Sequence, residues 1–269
     1  MIVDAHQHLW RLGEGYDWLD APELAPIRRT FTPADLRAEL AAAGVARTVL
    51  VEGGRCDADE AAVLFAHAAA TPEIAGVVAW DDPAAPGFRA YLDLPGAEYL
   101  VGLRAQVQAE ETDYLSRADV RAGLAAYGRA GLVFDLVLRP DQLPSAVAVA
   151  AACPSVRFVL DHLGKPRDFA AWRSDISDIA RMPNVTAKVS GLFTEVPDVR
   201  PYVEFALECF GPERLMWGSD WPVSTLAVSY AETLARTRAL VAAPEVFSAT
   251  AREVYGLAEV QSPRRQQWH

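Results

Sequence analysis

With 269 residues, 51% of them hydrophobic, the chain can bury one large core, and a single α/β barrel fits that size. Its formal net charge of -11 and pI of about 4.9 exclude a basic phosphate-binding face, so nucleic acid is not an expected partner. The three scattered cysteines (Cys56, Cys153, Cys209) form no disulfide or zinc pattern, and without a signal-peptide layout or a run long enough to span a bilayer the expected compartment is the cytoplasm.

The first β-like run, Ile2–His8, ends in two histidines one residue apart. Alternation along a strand puts His6 and His8 on one face, about 7 Å apart, where they can close on one ion or one reacting oxygen. The bland alternative is a polar strand end with two solvated imidazoles. The long connection Leu9–Thr30 carries Trp10, Tyr16 and Trp18 and reads as a cover for a barrel mouth, or else as a surface loop packed on its own aromatics.

Thr32, with Pro33 and Asp35 behind it and Gly44 at the far end, brackets a first helix. Further β-like runs follow at Thr48–Glu52, Gly76–Trp80, Val101–Val107, Val133–Leu138, Arg157–His162, Val185–Val189 and Leu215–Gly218. Between them, Asp57 with Glu60 and Ser116 with Asp119 resemble capping boxes before Ala61–Ala70 and Val120–Ala130. Asp168 opens Phe169–Arg181, and helical spacing recurs over Pro201–Phe210, Leu226–Val241 and Pro244–Leu257. Apolar strands alternating with helices predict one single-domain (β/α)₈ TIM barrel over residues 1–260, with 261–269 as a flexible tail.

Active sites of such barrels lie at the carboxyl ends of the strands. Collecting the polar residues there gives His6 and His8, Glu52, then Arg104 with Gln106 and Gln108 on one face, Asp135, the Asp161–Lys165 segment, Lys188 with Ser190, and Asp220. Asp220, between Gly218 and Pro222, suits a general base, an effect worth roughly 10²–10⁴ in rate; the plain alternative is a helix cap. His162 is either a site residue or a satisfied core histidine, and mid-helix His67 reads as structural. Arg104, inside an apolar strand, needs a partner. That partner is either Glu52 or Asp135 in an ion pair, or a substrate carbonyl or carboxylate that its fork would grip. Lys188 is either a charge stabiliser or the partner of Asp161 or Asp220.

Four stretches carry a resemblance: His6-Gln7-His8-Leu9-Trp10, Asp161-His162-Leu163-Gly164-Lys165-Pro166, Lys188-Val189-Ser190-Gly191-Leu192, and the run from Gly211 to Pro222. Together they resemble the amidohydrolase superfamily, in the branch of sugar-lactone hydrolases that includes L-fucono-, L-rhamnono- and 2-pyrone-4,6-dicarboxylate lactonases. The resemblance implies a site of His6, His8, His162 and Asp220, with Asp220 activating water. The expected catalytic residues are Asp220, His162 and Arg104, with Glu52, Gln106, Lys165, Lys188, Trp18 and Trp221 expected around the substrate. His6, His8 and Asp220, with His162 as an optional fourth, would hold a metal. Strand 5 supplies no histidine or lysine, so zero or one divalent ion is expected, zinc first, and a metal-independent lactonase is equally consistent. Two positions depart from the family: Ala105 stands where a histidine is usual, and Glu52 where a glutamine is. The expected activity is opening of a sugar-acid lactone. A metal-dependent decarboxylase of an aromatic or enol acid is the alternative, and a non-catalytic sugar-acid sensor the third reading. The expected partner is a small molecule, with neither nucleic acid nor membrane, and self-association is left open.

Overall fold

The computed structural model describes residues 1–257; the expected tail at 261–269 lies outside the described residues. Eight parallel strands stand in sequence order: β1 (Val3–Gln7), β2 (Arg47–Val51), β3 (Ile74–Trp80), β4 (Leu100–Ala105), β5 (Val133–Leu136), β6 (Arg157–Leu160), β7 (Val185–Val189) and β8 (Leu215–Trp217). The ring closes just beyond β8, where Asp220 N–H donates to the His6 carbonyl (2.8 Å) and His8 N–H to the Trp221 carbonyl (2.8 Å). The expected (β/α)₈ barrel is what the chain forms.

Around the strands lie α1 (Pro33–Ala43), α2 (Asp59–Ala70), α3 (Ala118–Arg129), α4 (Leu143–Ala152), α5 (Phe169–Ala180), α6 (Leu192–Glu195), α7 (Arg200–Phe210), α8 (Tyr230–Leu240) and α9 (Ala249–Val254). The crossover from β3 to β4 is made of 3₁₀ turns. α1 begins in the expected capping box between Thr32 and Asp35 and stops at left-handed Gly44. Neither of the other two expected capping boxes forms. Asp57 does accept from the amides of Asp59 and Glu60, but the Glu60 side chain turns inward to other partners. Ser116 donates back to the Asp113 carbonyl, and Asp119 pairs with Arg117. The expected final helix is a 3₁₀ turn, Pro244–Phe247, followed by the short α9. No helix among the described residues is long and apolar enough to cross a membrane.

Phe134 on β5 shows how the outer layer packs. It faces the helices, stacking on Tyr127 of α3 at 5.8 Å, while its neighbour Val133 faces the barrel interior among Val3, Ala5, Val49, Val51 and Val159. On β1 simple alternation fails. Asp4 pairs with Thr48 and Gln7 with Leu50, so three steps on β1 match two on β2. That extra residue is a β-bulge. It switches the inward parity, so Val3 and Ala5 face inward low in the barrel and His6 and His8 face inward above them.

The connection Leu9–Thr30 is both things the sequence suggested. It packs on its own aromatics, Trp10 edge-on to Trp18 (5.4 Å) and to Phe31 (5.3 Å). It also covers the mouth: Trp18 and Leu24 line the cavity there.

Candidate active site

The strand ends bring His6, His8, His162 and Asp220 together, all at most 5% exposed. Asp220 Oδ1 lies 3.6 Å from His6 Nε2, 3.5 Å from His8 Nε2 and 3.9 Å from His162 Nε2. Two of these residues sit on strained backbone. Asp220 (φ 56°) and His162 (φ 55°) adopt left-handed conformations, as do Leu163 and Lys165. Such geometry costs of order 1–3 kcal/mol per residue and persists only where surroundings impose it. Here Asp4 imposes part of it. Its Oδ1 accepts from the amides of Ser219 (2.8 Å) and His6 (3.1 Å), and its Oδ2 from Ser219 Oγ (2.7 Å) and the Tyr230 hydroxyl (3.0 Å). One carboxylate thus ties the end of β8 to β1. Gly191 completes the fit: a Cβ there would lie 2.6 Å from His162 Nδ1 and 3.1 Å from Asp220 Oδ2.

The ring nitrogens are oriented by their outer partners. His8 Nδ1 lies 3.0 Å from the Val51 carbonyl, which can only accept, so Nδ1 carries a proton and Nε2 is turned toward Asp220 and His6. His6 Nε2 faces Arg104 Nη1 at 3.4 Å, and a guanidinium can only donate. His6 Nδ1 lies between Lys188 Nζ (3.1 Å) and Asp161 Oδ1 (3.3 Å), so each ring nitrogen faces a cation that can only donate. His162 Nδ1 is 2.9 Å from Ser190 Oγ. Burial holds His6 well below its usual pKa and lowers His162 to about 4, so both imidazoles are neutral near pH 7. Burial works to raise the Asp220 carboxyl, but His162, His8 and His6 outweigh it and keep it below the usual carboxylate range.

This donor set fits a divalent ion. Two Nε2 atoms only 3.0 Å apart are closed into a triangle by a carboxylate oxygen at 3.5–3.6 Å, an arrangement that one cation can bridge. Tetrahedral zinc with bonds of about 2.0–2.1 Å places its ligand atoms about 3.3 Å apart. Asp161 behind His6 and the Val51 carbonyl behind His8 are the outer partners such ligands use.

Beneath His6 runs a buried charge network. Lys188 Nζ pairs with Asp135 (2.5 Å) and Asp161 (2.9 Å), and Arg104 with Glu52 (2.6 Å) and Asp161 (3.0 Å). The Tyr255 hydroxyl donates to Asp135 (2.9 Å). Burial alone would raise the Asp161 carboxyl; Lys188, His6 and Arg104 together hold it well below its usual range.

Three expected substrate contacts are corrected by these partners. Lys188 is fully buried below His6 and does not line the cavity. Glu52 is also fully buried, its carboxylate taken by Arg104, the Gly54 amide and Gln106. Trp221 packs edge-on against Phe31 (5.2 Å) with 2% exposure. Arg104 does reach the cavity wall, but its donors go to the Glu52 carboxylate and carbonyl, Asp161 and His6. It braces the site and has no free fork for a substrate carbonyl.

The cavity above Asp220 holds about 500 Å³ and is lined by His8, His162, Trp18, Gln106, Lys165 and others. A relay of side chains forms part of its wall: Lys165 Nζ donates to Gln108 (2.7 Å), Gln108 to Gln106 (2.9 Å) and Gln106 to Glu52 (2.6 Å). Sequence reasoning passed over two residues here. Asp161 was read only as a partner for Lys188, because its contact with His6 crosses the barrel. Glu195, on the turn after β7, lines the cavity, and no spacing pattern marks it.

The amidohydrolase family model matches residues 3–257. An L-fucono-1,5-lactonase of Burkholderia ambifaria is 36% identical over 237 residues, 84% of this chain and 81% of that protein. A crystal structure of an amidohydrolase from Burkholderia multivorans with bound zinc superposes with TM-score 0.90 at 31% identity, covering 96% of this chain and all of that one. A 2,6-dihydroxybenzoate decarboxylase from Rhizobium superposes with TM-score 0.69 at 14% identity over 95% of this chain and 98% of its own, which is likeness of fold alone.

Proposed function

The chain belongs to the amidohydrolase family, and we propose that it is a lactonase that opens the ring of a sugar-acid lactone by attack of water activated at Asp220. The observation that carries this reading is the convergence of three imidazoles on one ionised carboxylate at the floor of a cavity. The relatives named lactonases support the reaction class.

A divalent ion held by His6, His8 and Asp220, zinc first, would polarise the lactone carbonyl and make the attacking water more acidic. The chain's own residues do the rest. Asp220, ionised at any working pH, orients the water and takes its proton as the oxygen adds to the carbonyl carbon. His162, with Nδ1 against Ser190, presents Nε2 beside Asp220 and steadies the charge that develops. When the ring C–O bond breaks, the proton held at Asp220 passes to the departing ring oxygen. Atoms balance as lactone plus water to hydroxy acid. Arg104, Lys188 and Asp161 act at one remove, holding His6 in one orientation.

The test is acid release across a panel of aldono-1,4- and 1,5-lactones, with and without chelator. Turnover of at least one member is expected, and Asp220→Asn should lower kcat by about 10²-fold or more with little change in thermal stability. Near wild-type turnover in that variant would remove Asp220 as the base. No turnover of any lactone, with decarboxylation of an aromatic acid instead, would overturn the reaction class.

A further inference from the structure

The cavity's charged groups differ in one respect: whether they already have a partner. Arg104 is held by two carboxylates, Asp220 faces three imidazoles, and Lys165 donates to Gln108. Glu195 stands apart. It is half-buried at the end of α6, lines the same cavity, and has no hydrogen bond or ion pair among the described residues. Burial raises its carboxyl above the usual value, with Lys165 and Arg167 working to lower it and Asp220 to raise it. A half-buried carboxyl without a donor is costly unless something supplies one. Near it the wall offers amides and one ammonium, which suits hydroxyl groups, and Trp18, Leu24 and Val223 offer apolar surface for a ring face.

We propose that Glu195 selects the substrate: it accepts hydrogen bonds from hydroxyls on the lactone ring and turns away rings that carry a carboxylate. This rests on the lactonase reading and deepens it. A hydroxylated, uncharged ring gives Glu195 the donors it lacks. A ring carboxylate gives none, and placed there it either meets like charge or forces Glu195 to stay protonated. The cations do not compensate, because Arg104 is neutralised by Glu52 and Asp161, and Lys165, which donates to Gln108, is one positive charge beside the two carboxyls of Asp220 and Glu195. A site built to bond a hydroxyl discriminates strongly against a ring without it.

The test compares wild type with Glu195→Gln, which keeps the shape and removes the charge, and with Glu195→Ala. Two probes that resist hydrolysis are titrated by calorimetry: the 1,5-lactam of a hexonic acid, and the matching lactam of an aldaric acid, which bears a carboxylate on the ring. Wild type should bind the neutral lactam at least about 10-fold more tightly than the charged one. Glu195→Ala should weaken the neutral lactam about 10-fold, and Glu195→Gln should tighten the charged one, closing the ratio. With aldonolactones as substrates the loss should appear in KM, with kcat nearly kept. Unchanged binding ratios in both variants overturn the proposal. So does a fall in kcat of about 10²-fold at constant KM, which would make Glu195 a proton donor. If wild type opens no lactone but the lactam ratios shift as stated, the reaction fails and the selection by Glu195 stands. If lactones are opened and the ratios do not move, the selection fails alone.

Discussion

The barrel interior changes material along its own axis. In its lower part Val3, Val49, Val133 and Val159 pack with Met216 against Tyr255 and Leu257, just after α9. Higher up, the same ring of strands carries Arg104, Asp135, Asp161 and Lys188, which are just as buried and joined by ion pairs of 2.5–3.0 Å. The lower part is held by contacts without direction, so side chains of equal volume can replace one another there. In the upper part each charge is tolerable only because its partner is present. The two meet at Tyr255, which packs among the valines and donates its hydroxyl to Asp135.

The sharpest way to break this contrast is Lys188→Met. It leaves Asp135 and Asp161 without their shared cation, and chemical denaturation should show a loss of about 3–5 kcal/mol. A variant as stable as wild type would mean that the upper charges do not depend on one another. Val133→Ala tests the other side. It opens a small cavity among the valines and should cost about 2 kcal/mol, with kcat/KM unchanged. A fall in kcat/KM would show that the two levels are coupled.

The smallest effect is a slope with pH. Burial raises the Glu60 carboxyl to about 8, with Glu52 adding to it, against the Gly53 amide and the Tyr16 hydroxyl. The native state therefore holds a proton there that the unfolded chain releases near its ordinary value of 4.5. Stability from this group is complete below pH 4.5 and is lost as the pH rises toward 8. Thermal unfolding followed from pH 5 to 8 should fall more steeply in wild type than in Glu60→Gln; parallel curves would remove Glu60 as the source.

Much of this was legible in the chain itself. All eight strands lie where the apolar runs put them, and Val185–Val189 matches end to end. Six other runs, in β1, β2, β4, β5, β6 and β8, were read one or two residues too far at their carboxyl ends. Val107 already begins a 3₁₀ turn and His162 is left-handed. At β1, β4 and β6 the backbone leaves the ladder where His8, Gln106 and His162 turn to the cavity wall, and periodicity cannot register that. The pairing of His6 with His8 on one face follows from alternation. That this is also the face of Val3 and Ala5 does not, because the bulge on β1 is a matter of pairing with β2. Asp220 and His162 were found by position at strand ends. The occupied state of Arg104 and the burial of Lys188 depend on partners such as Glu52, Asp135 and Asp161, dozens of residues away, and only the closed barrel brings them together.

The aromatic connection after β1 has one last consequence. Trp18 donates to the Gly53 carbonyl (2.8 Å), Tyr16 to Glu60 (3.0 Å) and Trp10 to the Arg29 carbonyl (2.8 Å). The first two fasten it to the segment after β2 and to α2, and the third ties its near end to its far end, so it stands as a fixed shelf and not as a flap. Molecules arriving at the mouth meet a surface already in its working shape, and little ordering entropy remains to be lost on docking. Exchange of ligand with solvent should therefore keep pace with diffusion past a rigid rim, without waiting on a hinge.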